Sequence, residues 1–212
     1  MWHRLAEASV HCAKRAIPAG LRAWLRDART GWSPDRAVLA NAIIPALAGA
    51  RALANGSDVL WIGCRRYTTR YYRLIERDGA RCWTVDIDPD VQRFGRAGRH
   101  VIGDVRKLNL LFPDRRFETV LCNGVFGFGI DAISDQIAAC AAMAAVMKPG
   151  GWMLLGWNTD RIPDPLIGGV ANRWFKPFSL PGVGRRRMVE GCTHVYDVFR
   201  RRSSVDGETE AI

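Results

Sequence analysis

The sequence predicts an α/β fold built on a doubly wound, mostly parallel sheet. Two observations carry that prediction. Short apolar runs of strand length alternate with segments of helical character from residue 59 to residue 157, the pattern of a parallel sheet covered on both faces. After residue 160 the pattern changes: prolines and glycines break the chain, and two strand-like pieces follow without a long crossover. Such strands pair antiparallel at a sheet edge.

The elements follow in order. From Gly20, the apolar residues Leu21, Trp24, Leu25 and Ala28 fall at helical spacing, with Arg22, Arg26 and Arg29 elsewhere on the helix. That segment suits packing on its own domain or contact with a membrane surface. Gly31 breaks it, and Ser33-Pro34-Asp35 opens another helix with a capping hydroxyl, a proline in the first turn and an early acid. Pro45 kinks or restarts that helix, and Asn55-Gly56 ends it. Residues 59–62 form the first strand, 68–77 a helix, 82–85 the second strand and 89–94 a short helix. Residues 100–102 and 117–122 are the third and fourth strands. Residues 132–147 are an alanine-rich helix stopped by Lys148-Pro149-Gly150-Gly151, and 152–157 are the fifth strand. The terminal strand pieces are 174–180 and 192–200, and a polar tail follows Ser203. Three units are expected: a helical appendage or lid over 1–50, the α/β domain over 51–203, and the tail over 204–212.

At 212 residues the chain suits one domain with a sizeable core. No apolar run approaches the length that spans a bilayer, and the basic N-terminus lacks the continuous apolar region of a signal peptide. Six scattered cysteines without a C-x-x-C pair point to reduced thiols, no zinc site and a cytoplasmic setting. The net charge of +10, almost all arginine, allows nucleic-acid binding. Its even spread along the chain does not favour that reading.

The ligand signal lies in the first half of the α/β pattern. The first strand ends at Gly63 and the second at Asp86. An acid about twenty residues past a glycine turn stands where a carboxylate reaches the ribose hydroxyls of a nucleotide-like ligand. An adenosine-containing cofactor is therefore expected.

Five motifs in order over about residues 57–200 resemble the class I S-adenosylmethionine-dependent methyltransferase family. They are the strand and turn at 58–63, the acid Asp86, the turn Gly103-Asp104-Val105, the segment 117–125 ending in Asn123-Gly124-Val125, and Met147-Lys148-Pro149-Gly150-Gly151. The resemblance implies a Rossmann-like sheet of order 3-2-1-4-5-7-6 with an antiparallel C-terminal edge hairpin. It implies S-adenosylmethionine as cofactor, with Gly63, Cys64, Arg65, Tyr67, Asp86, Ile87, Asp88, Asp104, Val105, Asn123 and Gly124 around it. Asp86 would take both ribose hydroxyls, Asp104 the adenine amino group, and Val105 the ring face.

The family places two further glycines after the first, where this chain has Arg65 and Tyr67. Large side chains there obstruct a dinucleotide, whose pyrophosphate must sit on the helix N-terminus. S-adenosylmethionine has no phosphate, and an arginine there suits its carboxylate.

The expected activity is methylation of a small molecule or glycan precursor, on oxygen first and nitrogen second. Asp131 is the best-placed candidate base, and it is equally a helix-start acid; Asp160, Asp164, His100 and His194 are weaker candidates. Phe126, Phe128 and Trp157 would line the substrate side. His194 falls in an expected edge strand and reads as structural. The alternatives are a nucleic-acid methyltransferase or binder, and a non-catalytic binding subunit on the same fold.

Overall fold

The computed structural model describes residues 33–203. The helix expected from Gly20 and the tail over 204–212 lie outside the described residues. Among the described residues eight strands occur: β1 (Asp58–Ile62), β2 (Arg81–Asp86), β3 (His100–Ile102), β4 (Phe117–Asn123), β5 (Met147–Asn158), β6 (Phe175–Pro177), β7 (Arg186–Met188) and β8 (His194–Arg201). They form one sheet of order β3-β2-β1-β4-β5-β8-β6, with β7 also paired to β8. Strands β1 to β5 run parallel, and β8 is antiparallel to β5, β6 and β7. With the short β7 set aside, this is the expected Rossmann-like order.

The sheet is apolar on both faces, so its strands read as continuous apolar runs. Alternate residues of β1 enter different cores. Leu60 and Ile62 pack in one core with Ala139 and Met143 of the helix α5 (Ile133–Ala145). Val59 and Trp61 pack in the other with Leu39, Ile43, Leu47, Tyr71 and Ile75. Those last residues come from the segment Leu39–Ile43 that follows α1 (Pro34–Val38), from α2 (Ile44–Gly49) and from α3 (Thr69–Glu76). Trp61 stacks on Tyr71 with ring centroids 5.1 Å apart.

The structure refines several expected elements. Residues Leu39–Ile43 widen into a π-helical turn, and the α-helix restarts at Ile44 with Pro45 in its first turn, where the missing N–H is tolerated. Residues Arg66–Thr68 are a 3-10 turn ahead of α3. The sequence reading passed over a 3-10 turn at Val105–Lys107 and the one-turn helix α4 (Leu108–Leu111), which together bury Val105 and Leu108. Helix α5 ends at Ala145, and β5 starts at Met147, before the Lys-Pro-Gly-Gly turn. Phe117 pairs with Met147 and Thr119 with Trp152, so the extra residues between Met147 and Trp152 bulge out of the ladder. The C-terminal hairpin contains three strands rather than two. β8 is interior, not an edge, because β6 and β7 both cover its outer side.

Candidate functional site

The strand order reverses between β1 and β4: the chain runs outward through β2 and β3, then returns to the other side of β1. Open α/β sheets bind ligands in the crevice beyond the carboxyl ends of their strands at such a point. Here the crevice is a cleft shared by Gly63 after β1, Asp86 at the end of β2, Asp104 after β3 and Gly124 after β4. Two glycines make the approach possible. Gly63 has φ +90°, and a Cβ there would stand 2.9 Å from the carbonyl oxygen of Asn123. Only glycine tolerates both the angle and the contact. Gly124, at φ +68°, has no heavy atom within 4 Å of where its Cβ would be, so it presents bare backbone to open space.

Two carboxylates face this cleft, and each is met by an arginine from the cleft wall. Asp86 is 7% exposed. Its Oδ2 accepts the backbone N–H of Cys64 at 2.6 Å and Nη1–H of Arg65 at 3.2 Å, and its Oδ1 accepts the N–H of Asp88 at 2.9 Å. A carboxylate offers about four acceptor positions, so Asp86 keeps capacity for a ligand hydroxyl. Asp104 accepts the N–H of Arg106 at 2.8 Å and is clasped by the Arg106 guanidinium at 2.5–3.1 Å. That guanidinium also reaches Asp135 at 2.6 Å. The Arg106 hydrogen bonds hold the Asp104 carboxyl below the usual carboxylate range against the opposing pull of partial burial.

The remaining walls are apolar. Ile87 and Val105 stand on the β2 and β3 side, and Val125, Phe128 and Ile130 on the β4 side. Ile87 and Phe128 are more than half exposed, with Arg161 stacked 5.0 Å from the Phe128 ring. A flat, neutral ring fits between such walls, with the two carboxylates at its edges.

Of the residues the sequence singled out, Gly63, Arg65, Asp86, Ile87, Asp104, Val105 and Gly124 line the cleft, as does Phe128. Cys64 contributes its backbone N–H to Asp86, while its side chain is buried and burial pushes its thiol up to about 11. The other expected residues stand apart. Tyr67 lies under the Arg36 guanidinium, 3.7 Å from its ring centre, and edge-on to Tyr71. Asp88 caps the following turn by accepting the N–H of Asp90. Asn123 turns its side chain away to His194. Asp131 is exposed at the end of the loop after β4, where its carboxylate accepts the N–H of Gly129 at 3.2 Å. Phe126 is in the core, and the Trp157 indole N–H donates to buried Asp197. Asp164 is held by Arg186.

Ile62, Arg106 and Ile130 also line the cleft and were not singled out. Arg106 had a local signal: a basic residue two positions after a turn acid can fold back on it. Ile62 and Ile130 had none, because a buried apolar residue reads the same wherever it points.

Many arginines are engaged within the molecule. Arg96 and Arg99 both pair with Glu76, and Arg115 stacks on Trp83 at 3.8 Å while pairing with Asp58. Among the described residues no helix is long and apolar enough to cross a membrane, and no cluster of three potential metal ligands occurs.

Residues 60–155 match the family model described as a methyltransferase domain. A ubiquinone/menaquinone biosynthesis C-methyltransferase UbiE from Pasteurella multocida (strain Pm70) is 30% identical over 112 residues, which cover 49% of this chain and 40% of that protein. The chain thus spans less than half the length of that curated relative. Among solved structures, a TehB-like SAM-dependent methyltransferase from Corynebacterium glutamicum superposes with a TM-score of 0.58 at 19% identity, covering 86% of this chain and 96% of that one. An S-adenosylmethionine-dependent methyltransferase from Clostridium acetobutylicum gives a TM-score of 0.61 at 11% identity, covering 87% and 99%. At these identities the structural likeness speaks to the fold.

Proposed function

We propose that the class I S-adenosylmethionine-dependent methyltransferase domain carried by this chain binds S-adenosylmethionine in the cleft and passes its methyl group to a small-molecule acceptor. The observation that carries the reading is Asp86, a nearly buried carboxylate at the end of β2 that opens on a cleft with apolar walls. In this reading Asp86 receives the ribose hydroxyls and Asp104 the adenine amino group. Ile87 and Val105 flank the ring. Gly63 and Gly124 let the backbone close on the ligand, with Cys64 holding Asp86 in place and Asn123 fixing the end of β4.

The turn after β1 argues against a dinucleotide. A pyrophosphate needs free N–H groups at the start of the helix. Here the N–H of Cys64 is given to Asp86, that of Arg65 to the Thr68 hydroxyl at 3.1 Å, and that of Thr68 to the Arg65 carbonyl at 2.9 Å. A ligand whose amino-acid end meets this turn does not need those donors.

The bound cofactor supplies a methyl carbon already activated by the adjoining sulfonium. The protein's task is alignment of an acceptor with that carbon. An acceptor lone pair forms the new bond to carbon while the C–S bonding pair stays on sulfur. A hydroxyl or amine acceptor must also lose a proton to a base. For an oxygen acceptor, Asp131, outside the cleft lining but next in sequence to Ile130, is the candidate base. A carbon acceptor is the second reading, favoured by the name of the curated relatives, C-methyltransferases of ubiquinone/menaquinone biosynthesis. A nucleic-acid acceptor is disfavoured by the internal engagement of the arginines. It would show as binding that falls steeply with salt.

The test is Asp86→Ala. Loss of a charge-assisted hydrogen-bond acceptor should weaken S-adenosylhomocysteine binding by about 1–3 kcal/mol. Unchanged affinity in a folded variant would remove the ribose assignment.

A further inference from the structure

Arg65 stands where the family resemblance implies a second glycine, and its guanidinium is already in use. Nη1 donates to Asp86 Oδ2 at 3.2 Å and to the Cys64 carbonyl at 2.6 Å. Both residues of the ion pair line the same cleft, yet they differ in freedom: the Arg65 side chain is 51% exposed and the Asp86 side chain 6%. Arg106 makes the instructive contrast. It is tied to two acids at once, Asp104 and Asp135, and stays bound to one if it leaves the other. Arg65 meets one carboxylate, on a long side chain that is half in solvent. A half-exposed pair of this kind is weak. It is easily traded for a second carboxylate delivered to the same turn.

We propose that Arg65 exchanges partners on ligand binding, from Asp86 to the α-carboxylate of the amino-acid end of the ligand. The proposal rests on the S-adenosylmethionine reading and adds a selection step to it. While paired with Asp86, Arg65 covers one oxygen of the acid that must receive the ribose. A ligand with a carboxylate near Gly63 draws the guanidinium off and gains a charge-assisted contact in return. Asp86 keeps one acceptor position beside its three donors, so a nucleoside without that carboxylate must displace Arg65 to seat its second ribose hydroxyl and gains nothing for it. Arg65 therefore acts as a specificity residue, favouring the full cofactor and its product over truncated thionucleosides.

The experiment compares two ligands on three proteins by calorimetry. S-adenosylhomocysteine carries the amino-acid end. 5′-Methylthioadenosine keeps adenine, ribose and sulfur and lacks it. In Arg65→Ala, S-adenosylhomocysteine should bind about tenfold or more weakly, the loss of a hydrogen-bonded charge partner. 5′-Methylthioadenosine should bind about two- to fivefold more tightly, the release of a half-exposed ion pair. Arg65→Gln, which keeps the side-chain length and removes the charge, should shift both ligands in the same directions and guards against a folding defect in the alanine variant. Weakening of both ligands by the same factor would overturn the proposal, since Arg65 would then only be shaping the turn. Unchanged S-adenosylhomocysteine affinity would overturn it as well. If neither ligand binds the wild type or the variants, the cofactor reading itself falls and takes this inference with it. Binding of both ligands without opposite shifts removes the exchange alone.

Discussion

Asn123 Oδ1 lies 2.9 Å from His194 Nε2, joining the end of β4 to the start of β8 across the intervening strand β5. The contact exists because the β5 residue between them is Gly156, which pairs with Asn123 on one side and Tyr196 on the other. On its far side the ring meets Asn158 Oδ1 at 3.0 Å, and the Asn158 amide donates to the Thr193 hydroxyl at 2.9 Å. This polar chain fixes Asn123 directly beside Gly124, and so ties the cleft wall to the C-terminal strands.

A side chain at position 156 should break that tie. A Cβ on Gly156 would fall 2.0 Å from Asn123 Oδ1 and 2.9 Å from His194 Nε2. Gly156→Ala should therefore destabilise the fold by about 1–3 kcal/mol, the cost of overpacking a tight site, as measured by denaturant unfolding. Wild-type stability in this variant would mean that Asn123 swings away freely.

The same histidine should leave a mark on pH dependence. Burial pulls the His194 pKa down, with the charge of Asp35 opposing and that of Arg36 adding to it from α1. Tyr196, edge-on at 4.6 Å, is held protonated by burial. His100 is lowered for the same reason. A histidine with a depressed folded pKa binds its proton more readily unfolded, so its stabilisation is full above the unfolded value of 6.5 and lost as pH falls below it. Unfolding free energy should fall between pH 6.5 and the carboxylate range, and His194→Gln should flatten part of that slope. A gain in stability on acidification would instead indicate an imidazolium held between the two amide oxygens.

The C-terminal strands carry a second buried network. Asp197 is 0% exposed and accepts from Arg186 at 2.6 and 2.9 Å and from the Trp157 indole at 2.8 Å. Arg186 also clasps Asp164 in the loop after β5. Removing the cation leaves a buried carboxylate short of its partner, a change that costs about 3–5 kcal/mol. Arg186→Leu should show that loss by urea denaturation, and a loss below about 1 kcal/mol would contradict the role given to this pair.

Much of the cleft was legible because its signals are local. Gly63 and Asp86 sit at strand ends, where a glycine turn and an acid are visible in the sequence itself. The parallel sheet followed from the alternation of strands and helices, and its strand order from the family resemblance. The rest depended on residues far apart in sequence. Asn123 is 71 residues from His194, and nothing near Asn123 announces that its side chain is turned from the cleft. The partner of Arg65 is a carboxylate 21 residues away, so the turn's departure from glycine read as an obstruction to a dinucleotide and a partner for a ligand carboxylate, not as an ion pair with Asp86. Strand β7 is three residues long and arginine-rich, Arg186-Arg187-Met188, without the alternation that would mark it. It forms because β8 offers an open edge and Asp197 offers a charge.

The most direct test of the central claim is a calorimetric titration of the purified protein with S-adenosylmethionine and S-adenosylhomocysteine, with NAD as the control. Micromolar binding of the first two and none of NAD is the expected result. Binding of NAD alone, or of none of the three by a folded protein, would contradict the assignment of the cleft.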